Sequence, residues 1–218
     1  MKQDSQFWPH LTDYMLTTEE GRVLVEKTRD AIEAHLDHRR KFDPGPNDGT
    51  RLWKKRGVFV TITESGAKTL RGCIGSPQPD QPLIIEAVKA GILAATADPR
   101  FAPVTLEELR NKDCLELTVL SPLERIVAKT PEELKDSVVL GRDGIVVEGY
   151  GQRGLLLPQV AIEEDFDIED FVTNCCLKAG LLPEVWLTGK ATLYKFMGQV
   201  FAEDAPRGLI VERMLHNH

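Results

Sequence analysis

Apolar residues recur at helical spacing between Thr17 and about His38. Leu24, Val25, Thr28, Ala31, Ile32 and Leu36 form one stripe, and Thr17-x-x-Glu20 ahead of it is a capping box. A second helical stretch starts at Pro82, a residue suited to a first turn, and runs to about Ala97. Ala87, Ala90, Gly91, Ala94 and Ala95 keep one of its sides thin, which favours close backbone packing, most simply against a sheet. Between these helices the period changes to two. Val58, Val60 and Ile62 alternate with Phe59, Thr61 and Thr63, Glu64-Ser65-Gly66 turns the chain, and Lys68 to Ile74 returns as a second strand. Asp43 to Gly49, rich in proline and glycine, is an exposed loop.

Further along, Thr105-x-x-Glu108 caps a short helix, Cys114 to Leu120 alternates as a strand, and Thr130-Pro131 opens another brief helix. Val138 to Val147 is expected as a hairpin around Gly141-Arg-Asp-Gly144. Gly154 to Val160 is expected as a strand placed at an edge or bulge by Pro158. Asp167 caps a helix that ends at Ala179 before Gly180, with Cys175 facing inward, and Ala191 to Phe201 is a last long strand. Asp204 to Gly208 is a loop and the rest a tail. The sum is an α+β fold, with a mostly antiparallel sheet and flanking helices.

Composition narrows the class. The 218 residues are 42% hydrophobic, enough for one large domain or two joined lobes. The net charge is -7, and the short basic clusters Arg39-Arg40-Lys41 and Lys54-Lys55-Arg56 are expected to solvate a surface. That balance argues against a nucleic-acid partner, whose binding requires several phosphates to be neutralised together. There is no signal-peptide pattern and no apolar run long enough to span a bilayer, so the expected location is cytoplasmic. Cys73, Cys114, Cys175 and Cys176 show no C-x-x-C spacing, which indicates neither a zinc site nor a disulfide framework. Cys114 is expected to pack. His35 and His38, one turn apart, lack an H-E-x-x-H context and read as a solvated helix end; His10, His216 and His218 lie toward the termini. No metal is assigned, and no cofactor is indicated.

The candidate chemistry gathers at Leu70-Arg71-Gly72-Cys73-Ile74-Gly75. Two glycines so close in a strand imply that something approaches the backbone there, or that the strand bends. Alternation sets Arg71 and Cys73 on one face, with Leu70 and Ile74 on the other, so a guanidinium beside the thiol would favour the thiolate. Asp98 and Arg100, in the turn after the second helix, form a local ion pair or line the site. Gln159 and Glu163 are polar groups beside the second irregular backbone point at Pro158.

Six blocks in this order resemble the AMMECR-one domain family in its archaeal or bacterial form. They are Leu70-Arg-Gly-Cys-Ile-Gly75, Asp98-Pro-Arg-Phe101, Leu117-Thr-Val-Leu-Ser-Pro-Leu123, Gly141-Arg-Asp-Gly-Ile145, Leu157-Pro-Gln-Val160 and Cys176-Leu-Lys-Ala-Gly-Leu181. The likeness covers residues 17–208, leaving an N-terminal arm, 1–16, and a C-terminal tail, 209–218. It implies two lobes, the larger containing both chain ends, with a cleft between them near Leu70 to Gly75. It also implies association with Memo-like and radical-SAM proteins, and it supplies no established reaction. Some relatives carry histidine where this chain has Asp143, which removes an imidazole from that position.

Two readings follow. In the one placed first, the protein is a binding or scaffold component that takes a small molecule or a protein at its cleft. In the other, Cys73 is a nucleophile or redox thiol, Arg71 stabilises it or binds an anion, and Glu163 or Asp98 moves protons.

Overall fold

The first helix forms where its caps and stripe place it. In the computed structural model, which describes residues 14–38, 43–128 and 130–214, α1 spans Thr18–Leu36 and both halves of the Thr17/Glu20 capping box are made. His35 and His38 are exposed at its end. Helix α2 spans Leu83–Thr96, with Pro82 as its N-cap and not its first residue. The elements that follow in each region are β1 (Val58–Glu64), β2 (Leu70–Ser76), α3 (Leu106–Asn111), β3 (Asp113–Leu120), β4 (Glu124–Ile126), α4 (Pro131–Ser137), β5 (Asp143–Gly149), β6 (Gln152–Leu156), α5 (Pro158–Glu163), α6 (Ile168–Lys178), β7 (Ala191–Glu203) and β8 (Ile210–Met214). The strand order is β2-β1-β3-β7-β5-β6, and β4 and β8 also pair with β7.

The chain divides into two compact units, one of residues 14–121 with Gln199–Arg213, the other Pro122–Gly198. In the first, the alternation of β1 decides which face is dry. Val58, Val60 and Ile62 are at most 1% exposed, while Phe59, Thr61 and Thr63 are half-buried. Leu115, Leu117 and Val119 of β3 join the same core, which α1 and α2 cover. The small residues of α2 admit α1, since a Cβ on Gly91 would lie 2.7 Å from Thr28 Cγ2. In the second unit, Ile145 and Val147 of β5 pack with Phe171, Val172, Cys175 and Cys176 of α6. Both of these cysteines are fully buried, and burial pushes their thiols up to about 12 and about 11. Cys114 is buried too.

Five expectations change. The hairpin expected over Val138 to Val147 is not there: Val138 to Arg142 is a connection, and β5 pairs instead with β6 through Tyr150-Gly151. Its Gly141-Arg-Asp-Gly144 segment takes the positive φ at Gly141 that looked like a hairpin turn. Asp143 is fully buried, where it accepts the Val139 N–H at 2.9 Å and pairs with Arg142 at 2.7 Å. Pro158 does not interrupt a strand but starts α5, whose first position needs no N–H. Part of the expected tail is strand β8. Leu16, placed in the N-terminal arm, is buried and bonded in both directions to the Gln199 side chain. Finally, Arg56 does not merely solvate a surface. It is 6% exposed, its guanidinium lies 5.6 Å from the Tyr14 ring centroid, and burial lowers its pKa. Arg39-Arg40-Lys41, His10, His216 and His218 lie outside the described residues. Among the described residues, no helix is long and apolar enough to cross a membrane.

Candidate functional site

Strand β2 is an edge strand, so one row of its backbone groups has no neighbouring strand. The loop after α2 supplies partners for that row. Asp98 Oδ2 accepts the Cys73 N–H at 2.9 Å, and Arg100 Nη2 donates to the Cys73 carbonyl at 3.2 Å. The two side chains are themselves joined, Arg100 Nη2 to Asp98 Oδ2 at 2.7 Å and Nε to Oδ1 at 3.0 Å, and Oδ1 also accepts the Arg100 N–H. An Asp–Arg pair thus occupies the place of a strand, one carboxylate oxygen for the N–H and one guanidinium nitrogen for the C=O. The arginine stacks 5.2 Å from the centroid of the Phe101 ring. These bonds, chiefly those from Arg100, hold the Asp98 carboxyl far below the usual carboxylate range.

Cys73 is opposite Thr61 on β1, and the Thr61 hydroxyl donates to its Sγ at 3.3 Å. The thiol is half-buried. The two glycines that flank it are explained by packing. A Cβ on Gly72 would lie 2.1 Å from the Ala94 carbonyl oxygen of α2, and one on Gly75 2.2 Å from the Val58 carbonyl oxygen. What approaches the backbone at Gly72 is therefore the helix above it. Ile74 packs on the core, and Leu70 pairs with Thr63.

The regular alternation expected through Arg71 fails. Ile62 pairs with Gly72 but Thr63 pairs with Leu70, so Arg71 is the extra residue of a β-bulge. Its guanidinium pairs with Glu108 of α3 at 3.4 Å, and the guanidinium bonded to Cys73 belongs to Arg100. Glu108 is doubly engaged, because its other oxygen closes the Thr105 capping box, whose bonds lower its pKa. Beside this pair Asp113 is 1% exposed, with Oδ2 lacking a hydrogen-bond partner. Burial pushes its carboxyl up, and Arg71 acts in the opposite direction.

Gln159 and Glu163 belong to the second unit, on α5. Glu163 is exposed, and Gln159 Oε1 is buried without a hydrogen-bond partner. The structure thus brings together Arg71, Gly72, Cys73, Asp98 and Arg100 in one unit, and sequence reasoning missed Thr61, Glu108 and Asp113. Thr61 could not have been found by counting the β1–β2 register back from the turn, because the bulge at Arg71 shifts that register by one and regular pairing would set Val60 opposite Cys73. Glu108 was visible only as a cap, and nothing in the sequence marked Asp113.

Substituting asparagine for Asp98 is expected to cost about 1–3 kcal/mol at neutral pH through the weakened edge bonds. Arg100 is half-exposed and its charge is screened, so hydrogen bonding carries most of this. Because the folded carboxyl titrates below the unfolded value, its stabilisation is complete above about pH 5 and is lost as pH falls through the unfolded value toward the folded one. Urea unfolding of both proteins should show the gap shrinking from about pH 5 to about pH 2. A gap of constant size would count against this role.

The geometry defines a half-buried thiol on a clamped edge strand, within an α+β fold of helices on an antiparallel sheet. The AMMECR1 family model matches residues 25–201, and the chain belongs to that family. A protein of Thermofilum pendens is 43% identical over 208 residues, covering 92% of this chain and 97% of its own. A protein of Pyrococcus furiosus is 43% identical over 205 residues, covering 93% and 97%. The crystal structure of an uncharacterized protein from Pyrococcus horikoshii superposes with a TM-score of 0.78 at 43% identity, over 89% of this chain and 96% of that one.

Proposed function

We propose that this AMMECR1-domain protein is a cytoplasmic binding or scaffold component, which presents the strand around Cys73 to a partner. What supports this reading is the engagement of the ionisable groups around the thiol. Asp98 is held as a carboxylate by its edge bonds, Glu108 is shared between a helix cap and Arg71, and the thiol's hydrogen bond comes from Thr61. Groups committed in this way fix a surface. They do not shuttle protons, which requires a group whose pKa is near the working pH. The four cysteines are unpaired, as suits a reducing compartment. The family likeness makes Memo-like and radical-SAM proteins the partner classes to test.

The second reading, a reactive Cys73, is favoured by the partial exposure of its thiol. Two measurements separate the readings. Cys73→Ser should still co-purify with a Memo-like protein, while a bulky maleimide on Cys73 should abolish that association; no co-purification of the unmodified protein under any condition sinks the scaffold reading. Iodoacetamide should alkylate Cys73 no faster than free cysteine at neutral pH. A rate about tenfold above the free thiol would favour the enzyme reading, since reactivity follows thiolate character and access.

A further inference from the structure

The second unit holds a cavity of about 480 Å³ that the account of Cys73 does not use. Its size is that of small-ligand sites, roughly 300–1,000 Å³. Among the residues lining it are Leu181 and Val185, which are 8% and 6% exposed, and Tyr150 and Leu182, which are 67% and 75% exposed. Large apolar side chains so exposed around a concavity are characteristic of binding surfaces.

Tyr150 is in this position against local preference. It and Gly151 are the two residues linking β5 to β6, at φ +51° and +75°. A two-residue turn with both φ values positive favours asparagine, aspartate or glycine at its first position, and a bulky residue there is strained. The turn does not call for a tyrosine; the cavity beneath it gives the ring a use.

Glu184 and Lys190 line the same cavity, and neither has an ion-pair partner among the described residues. One site thus offers an aliphatic floor, an exposed aromatic ring at its edge, and one carboxylate and one ammonium at its solvent side. We propose that it binds a small zwitterion with a large apolar body, the chemistry of a free aromatic or branched α-amino acid. Lys190 takes the ligand carboxylate, Glu184 its ammonium, and the Tyr150 ring covers the side chain over Leu181 and Val185. The proposal is independent of the reading of Cys73.

Calorimetric titration of the full chain with L-phenylalanine and L-leucine tests it, alongside phenethylamine and 3-phenylpropionate, which each keep one charge. The amino acids should bind saturably. Each singly charged analogue should bind about tenfold more weakly, as should L-phenylalanine to Lys190→Gln or Glu184→Gln, the expected loss for one charge-assisted contact. Tyr150→Asn should lose binding while melting no lower than the unmodified protein, which separates the ring's role in the site from any role in folding. The proposal is overturned if no amino acid binds saturably, if the analogues bind as tightly as the zwitterion, or if the charge variants bind undiminished. Binding of an apolar peptide without binding of free amino acids would also overturn it, in favour of a protein-docking surface.

Discussion

Glutamine in place of Glu203 is expected to destabilise the protein by about 3–5 kcal/mol, the usual cost of leaving one member of a buried ion pair without the other. The partner is Arg29, in the middle of α1 and 1% exposed. Its Nε and Nη2 donate to the two Glu203 carboxylate oxygens at 2.6 and 2.5 Å, and two more of its hydrogens go to the carbonyls of Leu109 and Asp113, both at 2.7 Å. Glu203 Oε2 also accepts the Leu115 N–H at 2.8 Å. This single pair therefore ties α1 to the end of α3, the start of β3 and the end of β7.

A glutamine has the same shape but turns one acceptor into a donor. Either orientation of its amide points N–H at N–H, against Nε on one side or against Nη2 and the Leu115 amide on the other. Glu33 cannot take over. It stands 4.0 Å from Arg29 Nη1 and is already engaged by Arg110 at 3.0 Å and Arg207 at 2.7 Å. Arg29→Met combined with Glu203→Met should cost no more than Glu203→Gln alone, because it removes both charges; it still strands the backbone groups that the pair now satisfies. Urea unfolding of the three proteins decides the matter. A Glu203→Gln protein within about 0.5 kcal/mol of the unmodified one, the scatter of ordinary surface substitutions, would refute the assignment.

Arg29 also shows why part of the fold was legible in the sequence and part was not. The stripe of α1 was found by counting apolar residues. A charged residue in that stripe is invisible to such a count, because its partner is 174 positions away. Signals confined to a few residues worked: the capping boxes at Thr17, Thr105 and Asp167 all form, and strands stand where β1, β3 and β7 were expected, although only β1 alternates in burial while β3 and most of β7 are buried on both faces. Where a local signal has two structural meanings, the wrong one was chosen. Gly141 takes a positive φ in a connection as well as it would in a hairpin, and Pro158 suits a helix start as well as a strand edge.

The candidate site divides in the same way. The Asp98–Arg100 pair is local and was foreseen as one of two possibilities. Its grip on the Cys73 backbone is a tertiary contact spanning 25 positions, and the bulge at Arg71 depends on pairing that period-two counting assumes to be regular. The result moves the cation at the thiol from Arg71 to Arg100, and changes the meaning of the glycines from ligand access to helix packing.

That last change carries the other large effect. Gly72→Ala is expected to destabilise the protein by about 3 kcal/mol or more, at the upper end of what overpacking costs. The new methyl would meet Ala94 oxygen at 2.1 Å and Ala94 carbon at 2.9 Å, both backbone atoms of α2, so no side-chain rotation can relieve it. Helix α2 would have to lift from β2, yet it is held on its other contact by α1, packed so closely that a Cβ on Gly91 would lie 2.7 Å from the Thr28 methyl. Alanine in a strand would otherwise gain about 0.5–1 kcal/mol over glycine through lower chain entropy, so a net loss isolates the steric term. Gly91→Ala is the useful contrast, because it meets side-chain atoms of Thr28 and Ile32 at 2.7 Å and beyond and no backbone, and it should cost less. Asp98 follows directly on the end of α2, so lifting the helix should also loosen the clamp on Cys73. Alkylation of Cys73 should then be faster in Gly72→Ala than in Gly91→Ala at equal distance below their melting points. If Gly72→Ala is as stable as the unmodified protein, the glycine is not there for α2, and access to the strand by a ligand becomes the better explanation of the motif.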